Sequence, residues 1–435
     1  MVIQEFSFGN FRSFKDIQTL NMAAAKIKSK YAFVDEANVI NDESYRGVKF
    51  LKSKAIYGAN ASGKSNIAKA LGTFIRIIKQ SVKDEEILKL VEPFRLSTET
   101  EHAPTFFQLI FWIENTRYRY GFELDDKQIY AEWLYAKPGL RELPYFIRDN
   151  QEIIEIDKTN FNEGNKFVEF FKNFSSDNQI FRSNSLFLST IASLGFGKLA
   201  KEIVDNIDSV FVINGLGHRG LHAYAGDCLR EEARRKYIVD FLKHGDTGIE
   251  DVETVDVPSD VFSNDADNKE SNITGKDRKM KVVVSTRKKY DANQNFHEDV
   301  PSPFTMMESE GTLKLFELSP VVFESLKENR PLIIDEFDAR FHPLLTKKII
   351  ELFNSKTNKC TQLIFITHDT NLLSADLLRR DQIEFVEKDK FGASHLYSLV
   401  QFKGIRNAAS FEKDYISGKY GAIPFLGDFK KLMNL

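Results

Sequence analysis

The stretch Gly58-Ala59-Asn60-Ala61-Ser62-Gly63-Lys64-Ser65 decides how the rest of the sequence is read. It satisfies GxxxxGK[ST] at every required position. The strand-like Lys54-Ala55-Ile56-Tyr57 precedes it, and apolar residues at helical spacing follow: Ile67, Leu71, Phe74, Ile75 and Ile78. Glycines let such a loop curl until successive backbone N–H groups face a phosphate chain, and the next helix adds its dipole. Lys64 then reaches the β- and γ-phosphates, and Ser65 offers a hydroxyl to Mg²⁺. Gly58, Asn60, Gly63, Lys64, Ser65 and Asn66 are therefore expected to hold ATP.

A second constellation lies far downstream. Pro331-Leu332-Ile333-Ile334-Asp335-Glu336 is an apolar strand ending in two acids. Strand ends deliver side chains to the sheet edge where ligands sit, so Asp335 is placed to hold Mg²⁺ and Glu336 to polarise an attacking water. Upstream, Met307-Glu308-Ser309-Glu310-Gly311-Thr312 opens a helix, where a serine and a glycine offer a hydroxyl and free N–H groups to an anion. An ordinary helix cap is the competing reading. Downstream, Leu363-Ile364-Phe365-Ile366-Thr367-His368 is another apolar strand, ending in a histidine that either caps or joins the chemistry.

Composition narrows the class. The chain has 435 residues, 42% hydrophobic and 28% charged, enough for a sizeable core and two to three folded units. A formal net charge of -3 excludes a polycation, so any nucleic-acid contact needs a local patch. The basic run Arg278, Lys279, Lys281, Arg287, Lys288 and Lys289 is the candidate, against the alternative of a solvated strand edge. Arg230, Arg234, Arg235 and Lys236 read instead as one charged helix face. No apolar run is long enough to span a bilayer, and with an early acid and no apolar core in the first residues a signal peptide is not expected. Cys228 and Cys360 form no CxxC pair, which suits a reducing cytoplasm.

The pattern divides into residues 1–135 with the phosphate loop, a helical insertion over 136–245, a polar loop over 246–280, and 281–435 with the remaining motifs. Together these give an α/β class: a mixed sheet with flanking helices and an inserted helical lobe.

The order of these motifs resembles ABC-type ATPases of the SMC, RecF and OLD group, whose two head halves are separated by an inserted arm. That resemblance implies that Ser309 and Gly311 stand where the ABC signature stands. It makes Asp335 and Glu336 the Walker B pair and His368 the switch histidine. Such heads pair, the signature of one completing the phosphate site of the other, so at least a head-to-head homodimer is implied. Arg12 matches an early arginine that contacts nucleotide in related heads. His342 replaces their D-loop aspartate; Gln108 and the segment 185–190 are both candidates for the Q-loop, with a structural glutamine the competing reading of the first.

The opening Phe8-Gly9-Asn10-Phe11-Arg12-Ser13-Phe14, the form Ser-Glu-Gly-Thr, Phe341-His342-Pro343 and the tail Tyr415-Ile416-Ser417-Gly418-Lys419-Tyr420-Gly421-Ala422-Ile423-Pro424 are similar to stand-alone ATPases of antiphage defence operons. Those include PARIS (AriA-like) and Rlo-type proteins. The implied partners are a phage-encoded trigger and a separately encoded effector, a Toprim nuclease in PARIS relatives. Asp376 and Asp381 are not spaced as the DxD of a Toprim domain, so any nuclease is expected on another polypeptide. The alternative is a RecF- or SMC-like repair ATPase that binds DNA.

Overall fold

The computed structural model describes residues 1–172, 181–195, 197–216, 219–258, 279–405, 410–424 and 427. The chain folds as two compact units. The first comprises Met1–Ile213, Glu328–Asp338 and Thr346–Leu435; the second comprises Asn214–Lys327 and Ala339–Leu345. No helix among the described residues is long and apolar enough to cross a membrane.

The first unit holds two sheets. Its six-stranded sheet orders the strands Phe211–Asn214, Leu332–Asp335, Leu363–Ile366, Ser53–Gly58, Ile383–Lys388 and Ser394–Ser398. The middle four run parallel. Their near-continuous apolar runs are what parallel strands covered on both faces require. The helix Lys64–Gln80 leaves the phosphate-loop strand and buries Ile67, Leu71, Phe74 and Ile78. Phe74 stacks on Phe122 at 5.1 Å between ring centroids, carrying the core across to the second sheet. From the tail, Tyr415 and Tyr420 lie against Phe385 at 5.3 and 5.7 Å.

That second sheet is antiparallel and seven-stranded: Glu152–Ile156, Leu143–Asp149, Ile129–Lys137, Thr116–Leu124, Thr105–Ile113, Val2–Gly9 and Gln18–Asn21. Two of its strands form a tight hairpin, with Ile113 opposite Thr116 across Glu114 and Asn115. The helical insertion expected over 136–245 needs correction. Its first part is two further strands, turned at Asn150 (φ 50°), because Tyr145, Phe146 and Arg148 must enter the sheet core. Helices Asn162–Lys172, Phe187–Leu194 and Lys198–Asp208 then pack within this unit, Phe187 edge-on to Phe146 at 4.9 Å.

The second unit takes the later helices, Arg219–Cys228 and Glu232–His244, so the expected lobe is divided. They pack with the long helix Glu310–Glu328 and a three-stranded sheet, Asp251–Pro258, Lys279–Tyr290 and Phe296–Pro303. The polar loop expected over 246–280 is thus a strand in its first part, since Val252 is buried in this unit's core. Residues 259–278, including Arg278, lie outside the described residues.

A buried ion pair fixes the edge of the antiparallel sheet. Glu132 and Arg148 are fully enclosed and meet at 3.1 Å. The carboxylate also accepts the N–H groups of Phe187 and Leu188 at 2.6 and 3.0 Å, capping that helix, and the hydroxyl of Tyr120 at 2.9 Å. Burial draws the Arg148 guanidinium below its ordinary value, with Glu132 opposing. Arg148→Met should destabilise the protein by about 3–5 kcal/mol, because it strands a buried carboxylate. Urea unfolding followed by circular dichroism measures this. A loss under about 1 kcal/mol would show that the N–H and O–H donors alone can hold the charge.

Candidate functional site

The parallel register brings the scattered motifs together. Ile334 pairs with Phe365, and Ile366 with Ile56, so three adjacent strands end level with one another. Asp335 and Glu336 follow from one, His368 from the next and the phosphate loop from the third. Residues at the carboxyl ends of parallel strands face the crevice where such sheets bind ligands.

The loop conformation requires glycine twice. Gly58 has φ 158°, and a Cβ there would run into the carbonyl oxygen of Val386. Gly63 has φ 107°, and a Cβ there would strike the hydroxyls of Ser13 and Ser394. Within the loop, Lys64 Nζ donates to the carbonyls of Gly58 and Ala59, both at 2.8 Å. Burial lowers the Lys64 pKa to about 8, although Glu336 and Asp335 pull it upward. Ser62 Oγ is buried without a hydrogen-bond partner. A polar donor set left partly unsatisfied in this way fits a polyphosphate.

Ser65 Oγ donates to Asp335 Oδ1 at 3.1 Å. The two form a pair of hard oxygens suited to Mg²⁺. Burial raises the Asp335 pKa against the opposing effect of the Ser65 hydroxyl. Glu336 adopts the left-handed region at φ 54°, rare for a residue with a side chain. Its own N–H donates to Asp335 Oδ1 at 3.1 Å, and the next N–H, of Phe337, donates to Ile366 O at 2.9 Å. The main chain is thereby turned so that Glu336 lines the same cleft as Lys64. His368 lines it too, its N–H donating to Asp338 Oδ1 at 3.1 Å. Loss of solvent and then the Lys64 charge hold its imidazole below the usual value. The cleft measures about 320 Å³, and its wall also includes Ser13, Asn60, Gly63, Ser65, Asn66 and Lys388.

Other expected residues are placed differently. The Arg12 guanidinium pairs with Glu92 at 2.6 Å and is not part of the cleft wall. The adjacent Ser13 is, accepting a hydrogen bond from Asn66 Nδ2 at 2.9 Å. Gln108 accepts from Trp133 Nε1 at 3.1 Å inside the antiparallel sheet, which gives it a structural role. Ser309 and Gly311 belong to the second unit. There Ser309 Oγ accepts the Thr312 N–H at 3.2 Å and caps the long helix. A Cβ on Gly311 would approach Arg340 O to 2.8 Å. His342 Nδ1 accepts the Leu344 N–H at 3.2 Å, another cap.

A larger cavity of about 860 Å³ lies in the second unit, among Met280, Val282, Met306 and Leu313. Arg340 there is matched by Glu310 and Lys281 by Asp227 at 4.0 Å, while His222 Nδ1 lies 3.6 Å from Glu317. Much of the basic run is likewise compensated, Arg287 by Glu308 at 2.6 Å, Lys288 by Glu250 at 3.1 Å and Lys289 by Glu298 at 2.6 Å.

Residues 55–195 and 225–374 match the family described as "AAA domain, putative AbiEii toxin, Type IV TA system". The matched segments contain the phosphate loop, Ser309, Asp335, Glu336 and His368. No curated protein matches the chain. Among solved structures, the SMC head domain from Thermotoga maritima is 12% identical with a TM-score of 0.41, covering 92% of this chain and 99% of that one. An Smc head with an extended coiled coil, bound to the C-terminal domain of ScpA and derived from Pyrococcus furiosus, is 14% identical with a TM-score of 0.40. It covers 96% of this chain and 99% of that chain.

Lys64→Ala removes the cation at the centre of the loop. Affinity for ATP in the presence of Mg²⁺, measured by titration calorimetry, should fall by on the order of 10²-fold or more, the scale of a lost preorganised charge contact. Near wild-type affinity would show that the loop does not bind phosphate.

Proposed function

We propose, from the premise that the chain belongs to this AAA-domain family, that it binds ATP with Mg²⁺ and hydrolyses it. One observation carries the reading: Lys64, Asp335, Glu336 and His368 converge at the ends of three neighbouring strands although they come from distant parts of the chain. Lys64 neutralises the β/γ charge, and loop N–H groups orient the phosphates. Ser65 and Asp335 would hold Mg²⁺, which would supply charge neutralisation at the transferring phosphoryl group. Glu336 accepts the proton of the attacking water, and His368 lies across the cleft as a donor toward the γ-phosphate.

The chain acts, in this reading, as an oligomeric sensor or scaffold subunit of a bacterial antiphage defence system, in the cytoplasm. It controls a separately encoded effector, a nuclease of Toprim type in the nearest version of the idea, and answers to a phage-encoded trigger. The words "Type IV TA system" in the family description support a two-component arrangement. A DNA-clamping repair role is the second reading. Ion pairing of Arg287, Lys288 and Lys289 weighs against it, because phosphate contacts need cations free to release counterions.

Ser309 is the trans element of the proposal. In its own chain it caps a helix by taking the Thr312 N–H, and in this reading the serine hydroxyl turns to a neighbour's γ-phosphate when two heads pair. Glu336→Gln should bind ATP yet turn it over very slowly, since the amide keeps the shape without the basicity. Normal phosphate release by that variant would place the base elsewhere.

Ser309→Arg should retain nucleotide binding and lose hydrolysis. Mixed with Lys64→Ala, it should recover part of the ATPase rate, because a two-site dimer then contains one intact composite site. Phosphate release by verified mixed assemblies is the measurement. Full activity of Ser309→Arg alone would reduce that serine to a helix cap.

A further inference from the structure

One cation in the cleft wall comes from neither half of the motif set. The strand Ile383–Lys388 runs parallel beside the phosphate-loop strand, with Phe385 level with Tyr57 and Val386 level with Gly58. Lys388 therefore stands just past the point where the loop begins, and it lines the cleft together with Lys64, Glu336 and His368. Among the described residues no ion pair engages it. Its acidic neighbours are occupied: Glu387 accepts from Tyr397 Oη at 3.2 Å, and Asp389 takes the N–H groups of Phe391 and Ala393 at 2.8 and 2.9 Å.

The hairpin carrying Lys388 also grips the loop. Across the hairpin its partner is Ser394. Ser394 Oγ donates to Ser62 O at 2.5 Å, and the Ser394 N–H donates to Ser13 O at 2.7 Å. Lys388 is thus attached to a segment fixed directly against the phosphate loop, which is what a side chain needs to meet a ligand at low entropic cost.

Strand order decides which phosphate it can meet. Asp335 and His368 follow strands on one side of the loop strand, and Lys388 ends the strand on the other. The Ser65–Asp335 bond marks the metal side, where the β- and γ-phosphates belong. We propose that Lys388 is a nucleotide-binding residue contacting the α-phosphate, so that it contributes equally to nucleoside di- and triphosphate affinity. This rests on reading the loop as a nucleotide site.

Titration of the full chain with ADP and with a non-hydrolysable ATP analogue, each with Mg²⁺, tests it. Lys388→Met should weaken both by the same factor, roughly tenfold, as expected for one charge-assisted contact. Lys388→Arg should keep most of the affinity, since it restores the cation. Loss confined to the triphosphate would put the side chain at the γ-phosphate and overturn the assignment. Unchanged affinity of Lys388→Met for both ligands would overturn the contact while leaving the nucleotide site intact. Failure of the unsubstituted chain to bind either ligand would instead remove the nucleotide reading on which the proposal stands.

Discussion

The hydrogen bond from Ser65 to Asp335, 3.1 Å long, joins residues 270 positions apart, and the rest of the site depends on what lets it form. It needs the strands Ser53–Gly58 and Leu332–Asp335 in one parallel sheet, separated only by Leu363–Ile366. It also needs their ends level. A slip of one residue in either pairing would turn Asp335 to the opposite face of the sheet. The apolar residues Leu332, Ile333, Ile334, Leu363, Ile364 and Phe365 hold that register, since each is buried on a covered face and a shifted strand would set it against neighbours of the wrong shape. Core packing therefore sets the geometry of a polar site that contributes little to the core.

Local chemistry was readable from sequence, and tertiary placement was not. The loop announces itself because Gly58 and Gly63 occupy conformations closed to other residues, and because Lys64 and Ser65 must follow the second glycine directly. Asp335 and His368 were legible as the polar ends of apolar strands. Lys388 carried no such signal: a lysine ending an ordinary hairpin strand gains meaning only through the Val386–Gly58 register. Arg12 was read by likeness to related heads, yet Glu92 takes its guanidinium and Ser13 reaches the cleft instead.

Mistaken segment assignments have a shared cause. In Leu143–Asp149 the buried positions include Arg148, whose charge breaks the apolar alternation that marks a strand. Only its enclosed partner Glu132, on the neighbouring strand, makes that burial tolerable. Asp251–Pro258 is similar: Asp251, Glu253 and Asp256 give it a loop-like composition, while Val252 is the residue that enters the core. In both places the favourable partner lies elsewhere in the sequence, so composition alone points the wrong way.

Two buried lysines ten positions apart show where the fold spends polarity on structure and where it holds it for a ligand. Lys54 is 2% exposed and meets Glu384 at 2.7 Å, deep within the parallel sheet. The pair compensates itself, and removing either member would strand the other. Lys64 is 5% exposed, but its Nζ bonds are to two neutral carbonyls, and burial has drawn its pKa to about 8. Carbonyl dipoles satisfy the donors without cancelling the charge. An anion entering the cleft would meet an ammonium already stripped of water and held in place, so the desolvation cost falls on folding rather than on binding. The same logic accounts for the unpartnered Ser62 hydroxyl beside it. At Lys54 burial pairs charge with charge; at Lys64 it leaves an ammonium held by carbonyls beside a cleft that an anion can enter.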